Sequence, residues 1–407
     1  MKIFIHANII TDTGVIPDGM LVVRGERIDY AGPHRGDLIN ADAEPIDVRG
    51  LFLAPGFVDI HIHGGAGSDF MDATPADIET VFRYHAAHGT TSLCPTTATA
   101  ALDEILIALE ALEQYRSGPQ AFGRALGAHI EGPYLAMTKR GCHLPEFVHN
   151  PEEREWKQIL ERGPVASMTL APELPGARQL VEELHRRGSN ANAGHSEALY
   201  HEIDAAADWG VRHVTHLYCA MTDAMNNRWR DTSNPRSGGI VEAVYLDDRL
   251  SSELITDAKH LSAEMLKLAF RNKGYEKLAI VTDAMRGAGM PDGVYTFGPR
   301  HGMQVVVRNR EARIPDGTAL ASSVFPMNEM VRVFREMVQC PLWQAVRMAS
   351  LTPAEIVGRG DEIGSLAPGK LADFLIIDDQ VKVYATYLGG RELFAPSRLH
   401  TQAAQDR

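Results

Sequence analysis

Four cysteines in 407 residues, Cys94, Cys142, Cys219 and Cys340, are too few and too scattered to build a framework. With no Cys-x-x-Cys spacing, neither a disulfide-stapled fold nor a zinc finger is open to this chain. Positive charge is also scarce: 40 Lys and Arg against 53 Asp and Glu leave a formal net charge of -13, which argues against general nucleic-acid binding. No apolar run approaches bilayer-spanning length, and the start, Met1-Lys2-Ile3-Phe4-Ile5-His6, is too short an apolar stretch for a signal sequence. A cytoplasmic protein is the simplest reading. Internal repeats are missing, and the only biased segment is a polar tail at 401–407, expected to fray. The cluster Gly64-Gly65-Ala66-Gly67 lacks the Gly-Lys-Ser/Thr of a nucleotide loop. What is left, 44% hydrophobic and 23% charged, can bury a large core.

Against that background the segment Pro55-Gly56-Phe57-Val58-Asp59-Ile60-His61-Ile62-His63-Gly64-Gly65 stands out. Its apolar and β-branched residues read as a strand. Because side chains alternate along a strand, His61 and His63 emerge on the same side, and the glycines allow a tight exit. Two imidazoles so spaced can hold a metal or sit solvated on a strand edge. Four more runs end in groups of the same kind. Glu131 closes a short apolar stretch at 125–133 where Gly-Pro stops it; His195, His216 and Asp283 end those at 189–196, 211–218 and 277–285. Each alone is an ordinary strand-end residue. In a barrel of parallel strands the C-terminal ends converge on one mouth, and the six residues in this order then make one site.

Strands are expected at 2–10 and 18–32, and again at 364–378 and 382–387, so the two ends of the chain are expected to pair. Between them strands and helices alternate. Eight strands are expected to end near His63, Thr97, Glu131, Glu173, His195, His216, His260 and Asp283, with helices such as 103–115 and 152–161 in the intervals.

Six motifs narrow the reading: His-Ile-Glu-Gly-Pro-Tyr from 129, Lys-Arg-Gly-Cys-His from 139, Leu-Ala-Pro-Glu from 170, Ala-Gly-His-Ser from 193, Thr-His-Leu-Tyr from 215 and Val-Thr-Asp-Ala-Met from 281. In this order they resemble the N-acetylglucosamine-6-phosphate deacetylase family of the amidohydrolase superfamily, nearly end to end. The resemblance implies an α/β fold. A (β/α)8 TIM-like amidohydrolase barrel would occupy 54–359, beside a small β-sandwich formed from 1–53 and 360–400. It implies metal-dependent hydrolysis of the acetamide of N-acetylglucosamine 6-phosphate, in which a divalent metal lowers the pKa of its water to about 7 and polarises the carbonyl. Glu131, His195 and His216 would hold the catalytic ion, zinc by preference with Fe2+ as the alternative, and His61 and His63 a second one, with Glu131 bridging; one or two ions per subunit follow. Asp283 would be the general base and then the acid. His143 would polarise the carbonyl or hold the sugar, and His143, Cys219, Ala220, Arg228, Lys259 and His260 would contact substrate. The family resemblance also implies a homodimer, with an arginine crossing to the neighbour.

The sequence departs from the family around the phosphate. Where relatives read His-Leu-Tyr/Phe-Asn-Ala-Met, this chain has His216-Leu217-Tyr218-Cys219-Ala220-Met221, so a two-hydrogen donor becomes a weak thiol. The following loop is longer. Arg228 is its positional candidate for phosphate, with Arg230 or Arg236 as substitutes and Trp229 able to stack on a sugar or pack a lid. The family's Asp-Gly-x-His is Asp257-Ala258-Lys259-His260, where Lys259 could restore charge, and a Ser-Gly-Ser-like stretch becomes Ala321-Ser322-Ser323. The alternatives are therefore a deacetylase of N-acetylgalactosamine 6-phosphate or of an unphosphorylated sugar, and, in another class, a non-catalytic barrel scaffold.

Overall fold

Eight buried segments form the parallel strands of a barrel: Phe57–Ile62, Thr90–Thr97, Ala128–Glu131, Val165–Leu170, Asn190–Ala193, Val211–Val214, Ser251–Ile255 and Leu278–Val281. Each pairs in parallel with the next. The ring closes where Asp283 N donates to His61 O at 2.9 Å and His63 N to Ala284 O at 2.9 Å. This is a computed structural model, and it describes residues 1–39, 45–228 and 236–394. Trp229, Arg230 and the 401–407 tail lie outside the described residues.

Helices cover the outside of the barrel for local reasons. Thr74 accepts from Asp77 N and Pro75 opens the helix Pro75–Ala87, a side-chain cap followed by a residue whose φ is already helical. In Glu153–Arg162 the apolar residues Trp156, Ile159 and Leu160 recur at helical spacing and are the ones buried. The helix expected at 103–115 is Leu102–Ser117.

The fourth and seventh strands stop earlier than their expected ends near Glu173 and His260. The seventh ends at Ile255 because the Asp257 carboxylate accepts from Lys259 N and His260 N, turning the chain off the sheet, with Ala258 at φ 59°. The fourth ends at Leu170, and Glu173 lies in the turn beyond it.

The two ends of the chain meet in one sheet. Phe374–Ile377 runs antiparallel to Phe52–Pro55, Leu375 opposite Ala54, and Lys2–Thr11, Gly14–Arg24 and Arg27–Pro33 continue one side while Val383–Leu388 and Arg391–Phe394 continue the other. Its own core holds Phe4, Leu21, Phe374 and Tyr387; the Phe374 and Tyr387 rings stack at 4.4 Å, with Phe4 edge-on to both. Arg124, at the edge of the barrel, grips the buried Asp373 carboxylate with two hydrogen bonds of 2.7 and 3.1 Å and so ties this sheet to the barrel.

One element was not expected. After the eighth strand the chain builds a three-stranded antiparallel sheet, Gly293–Thr296, Gln304–Arg308 and Glu311–Arg313, before the helix Met327–Val338. Among the described residues no helix is long and apolar enough to cross a membrane.

Candidate active site

At the C-terminal mouth of the barrel Glu131 is surrounded by imidazoles. Its Oε1 lies 3.3 Å from His61 Nε2, 3.2 Å from His195 Nε2 and 3.3 Å from His216 Nε2; its Oε2 lies 3.2 Å from His63 Nε2 and 3.3 Å from His143 Nε2. Asp283 Oδ1 faces the same centre from the eighth strand, 3.3 Å from His63 Nε2 and 3.6 Å from His61 Nε2. Two triplets have ligand spacing, Glu131 with His195 and His216, and His61 with His63 and Asp283, and Glu131 touches members of both.

Backbone and buried carboxylates decide which ring nitrogen faces the centre. His195 Nδ1–H donates to Lys139 O at 2.7 Å and His61 Nδ1–H to Glu253 Oε1 at 2.6 Å, so in both rings Nε2 is the nitrogen that faces the centre and would offer its lone pair to a bound cation. His143 is set the other way: Thr99 N donates to its Nδ1 at 3.2 Å, which leaves its Nε2–H as a donor into the site.

The donor set fits a divalent cation. His195 and His216 bring their Nε2 atoms to 3.0 Å of each other, and both lie within 3.3 Å of Glu131 Oε1. The edge of a tetrahedron of ligands about 2.0–2.1 Å from a zinc ion is about 3.3 Å. His61 Nε2 and His63 Nε2 are buried and face only the Glu131 and Asp283 carboxylates, at 3.2–3.6 Å and without hydrogen-bond alignment, an arrangement that a cation between them would satisfy. Charge points the same way. Burial would strip the proton from His61, but the carboxylates of Glu131, Glu253 and Asp283 outweigh it and hold the ring well above the ordinary imidazole range; His63 is likewise pushed up to about 9 against burial by Asp283 and Glu131. Burial would raise the Glu131 and Asp283 carboxyls, yet the surrounding histidines hold both below the usual carboxylate range. A centre that draws protons this strongly draws a divalent cation for the same reason.

A cavity of about 330 Å³ opens above this cluster. Of the expected residues, Glu131, His143, His195, His216, Cys219, Ala220, His260 and Asp283 line it, while His61 and His63 are fully buried beneath. Burial pushes the Cys219 thiol up to about 12, so it stays neutral. Burial would lower His260, but Asp257, which accepts from its Nδ1–H at 2.9 Å, outweighs that and raises it, so this ring is biased toward the cation.

Two expected contacts are not brought to the pocket. Arg228 is ion-paired with Glu202, on the helix Tyr200–Trp209, and Lys259 is exposed where the turn after the seventh strand carries it outward; neither lines the cavity. Arg236 is exposed as well. Among the described residues, Lys139 is the Lys or Arg that lines it, and its Nζ donates to Met221 O at 3.1 Å. Ser322, hydrogen-bonded to Asp283 Oδ1 at 3.2 Å, lines it too. Sequence reasoning missed Phe297, on the unexpected three-stranded insertion, and Glu253, the carboxylate beneath His61. Glu253 did leave a signal: it is a charged residue in the middle of the buried strand Ser251–Ile255, where only an internal partner makes it tolerable.

A closed parallel barrel with convergent histidines and carboxylates at its C-terminal mouth is the architecture of a metal-dependent hydrolase. The sequence pattern of the amidohydrolase family matches residues 52–393, and the chain belongs to that family. Among its relatives are an N-acetylglucosamine-6-phosphate deacetylase of Bacillus subtilis (strain 168), 32% identical over 397 residues and 95% of each chain, and an N-acetylgalactosamine-6-phosphate deacetylase of Escherichia coli O157:H7, 32% identical over 94% of this chain and 97% of that one. A mutant N-acetyl-D-glucosamine-6-phosphate deacetylase from Mycobacterium smegmatis, solved in complex with N-acetyl-D-glucosamine-6-phosphate, superposes with a TM-score of 0.86 at 30% identity, covering 96% of this chain and 98% of that one.

Proposed function

We propose that this chain hydrolyses the acetamide of an N-acetylated amino-sugar 6-phosphate, N-acetylglucosamine 6-phosphate first, giving acetate and glucosamine 6-phosphate. The observation that carries the reading is Glu131 with five imidazole nitrogens at 3.2–3.3 Å, at the floor of a pocket that also holds Asp283. Glu131, His195 and His216 would hold a divalent metal, zinc by the nitrogen and oxygen donor set, with His61 and His63 able to hold a second, and such an ion lowers the pKa of water to about 7 and polarises a carbonyl.

The protein's own groups do the rest. Asp283, kept ionised, takes the proton of the attacking water as the C–O bond forms, and then gives it to the nitrogen as the tetrahedral centre collapses and the C–N bond breaks, so that a neutral amine leaves. His143 donates its Nε2–H to the carbonyl oxygen, where negative charge develops. Lys139, and His260 with its pKa raised by Asp257, stand on the wall toward which the sugar phosphate would extend. The reading includes a homodimer, implied by the family resemblance, and a cytoplasmic setting, in keeping with four free cysteines.

Acetate release by metal-replete protein tests it, run on N-acetylglucosamine 6-phosphate, N-acetylgalactosamine 6-phosphate and unphosphorylated N-acetylglucosamine. Selective turnover of the first is expected, and Asp283→Asn is expected to lower kcat by about 10²–10⁴-fold with metal content retained. Turnover of only the galactosamine compound would move the assignment to the second kind of relative. Full activity in Asp283→Asn would remove the aspartate from the mechanism. Sedimentation equilibrium reads the subunit number.

A further inference from the structure

We propose that Phe297 forms the wall of the acyl pocket and sets the length of acyl chain the enzyme accepts. The inference rests on the amide-hydrolase reading above and extends it to specificity.

Phe297 follows the first strand of the insertion Gly293–Arg313 yet is only 3% exposed, because its ring is carried over the barrel mouth. It meets His63 edge-on, with ring centroids 4.7 Å apart, and His143 at 5.5 Å and 88°. Its backbone is fixed on both sides by one guanidinium: Arg286 Nε donates to Thr296 O at 2.6 Å and Nη2 to Gly298 O at 2.7 Å, while Nη1 pairs with Asp72 at 2.9 Å. Phe297 N donates to Met303 O at 2.8 Å and Gly298 N to Asp69 Oδ2 at 3.2 Å. An aromatic ring held this firmly is a surface of fixed position.

The topology says which part of a substrate meets that surface. The reacting carbonyl must lie over the Glu131 and Asp283 cluster, with His143 in reach of its oxygen. From the carbonyl carbon the sugar nitrogen leads one way and the acyl chain the other. Cys219, Ala220 and His260 stand on the loops after the sixth and seventh strands, across the barrel from His143, which follows the third. A sugar extended toward His260 and the Lys139 amine, which reaches Met221 O beyond the sixth strand, therefore turns its acyl methyl toward the His143 side, where the Phe297 ring stands.

The test compares N-acetyl-, N-propionyl- and N-butyryl-glucosamine 6-phosphate by release of free amine, using metal-loaded wild type, Phe297→Leu and Phe297→Ala. An apolar pocket distinguishes one methylene by about 10–200-fold, so the wild type is expected to favour acetyl over propionyl within that range. Phe297→Ala is expected to shrink the ratio of kcat/KM values by about tenfold or more, with Phe297→Leu between, whatever the total activity of each variant. A purely structural Phe297 would lower all three rates together and leave the ratio at its wild-type value, and that result would overturn the proposal alone. A wild type silent on all three substrates would overturn the hydrolase reading and the proposal with it. Should Phe297→Ala fail to fold, the ratio in Phe297→Leu decides.

Discussion

Glu253 is the buried carboxylate that holds His61 toward the candidate metal centre, and Glu253→Gln is the perturbation that tests its role. The carboxylate is 1% exposed and accepts three hydrogen bonds: His61 Nδ1–H at 2.6 Å, His213 Nε2–H at 3.1 Å and His216 N–H at 3.1 Å. Burial alone would raise its carboxyl, but His61 and His213 outweigh burial and keep it well below the usual range, hence ionised. Glutamine keeps the shape and supplies one acceptor oxygen, while its amide nitrogen only donates. One of the two imidazole donors must then face an N–H. If it is His61, the favourable answer is to move its proton to Nε2, which removes the lone pair that faces Glu131 and Asp283.

Loss of such a supporting carboxylate costs roughly 10–100-fold in metal affinity, about 1.4–2.7 kcal/mol. The effect should fall first on an ion that His61 and His63 would hold, and less on one that Glu131, His195 and His216 would hold. Zinc competition against a chromophoric chelator, with stoichiometry, reads both. Glu253→Ala goes further, leaving three buried donors unmet, and should lower the unfolding free energy by about 3–5 kcal/mol in denaturant titrations of chelator-treated protein. A Glu253→Gln protein that binds two ions with wild-type affinity would refute the reasoning, whatever its activity.

The pH dependence of stability should carry the mark of His85, which is fully buried and donates its Nε2–H to Gly64 O at 3.0 Å. Burial pushes its pKa down from 6.5 to about 3. The unfolded chain binds this proton below pH 6.5 and the folded chain does not until about 3, so stability falls as pH drops through that window, by roughly 2 kcal/mol at pH 5. His85→Gln keeps an N–H donor without the titration, and the loss of unfolding free energy between pH 7 and pH 5 should shrink by about that amount; an unchanged loss would acquit His85. Cys219→Asn puts a two-hydrogen donor where a neutral thiol lines the cavity, and should lower KM for the phosphorylated sugar about 3–10-fold relative to the unphosphorylated one. Equal changes for both sugars in steady-state kinetics would separate residue 219 from the phosphate.

The parts of the molecule that could be read from sequence are those where one residue carries both a structural and a chemical signal. His61 and His63 alternate on a strand, and Glu131 stands before Gly-Pro, so position and chemistry are written together. The pairing of the chain's ends was equally plain, since strand-like runs flank an alternation of strands and helices, and Leu375 does sit opposite Ala54. The insertion was not legible because its strands are short and half exposed; Gln304–Arg308 alternates cleanly, yet nothing in it says that the sheet folds back over the mouth. That placement is decided by Arg286 and Asp72, 214 residues apart in sequence. Arg228 and Lys259 were read from their place in a motif, which fixes where a residue stands in the chain but not which neighbour takes its charge; within one subunit Glu202 pairs with Arg228, whose expected role is across a dimer interface, and the turn exposes Lys259.

The strand ends explain why the remaining site residues were found together. His195, His216 and Asp283 each stand two residues beyond the end of their strand, at Ala193, Val214 and Val281, and each has a positive φ, 47°, 28° and 45°. For a residue with a Cβ that conformation costs about 1–3 kcal/mol, and glycine would avoid it. Each strained residue is pinned by its own backbone: His195 O accepts from Ala136 N at 2.8 Å, His216 N donates to Glu253 at 3.1 Å, and Asp283 N donates to His61 O at 2.9 Å while its O accepts from Ser323 N at 2.8 Å. Bonds of about 1 kcal/mol each offset much of the strain. The left-handed turn also ends the strand and brings the side chain into the mouth in all three places, so the strain and the convergence of these groups go together. A sequence shows that cause only as a polar residue just past an apolar run, which is why the ligands were legible at strand ends while Glu253, inside its strand and unstrained, supports them unseen.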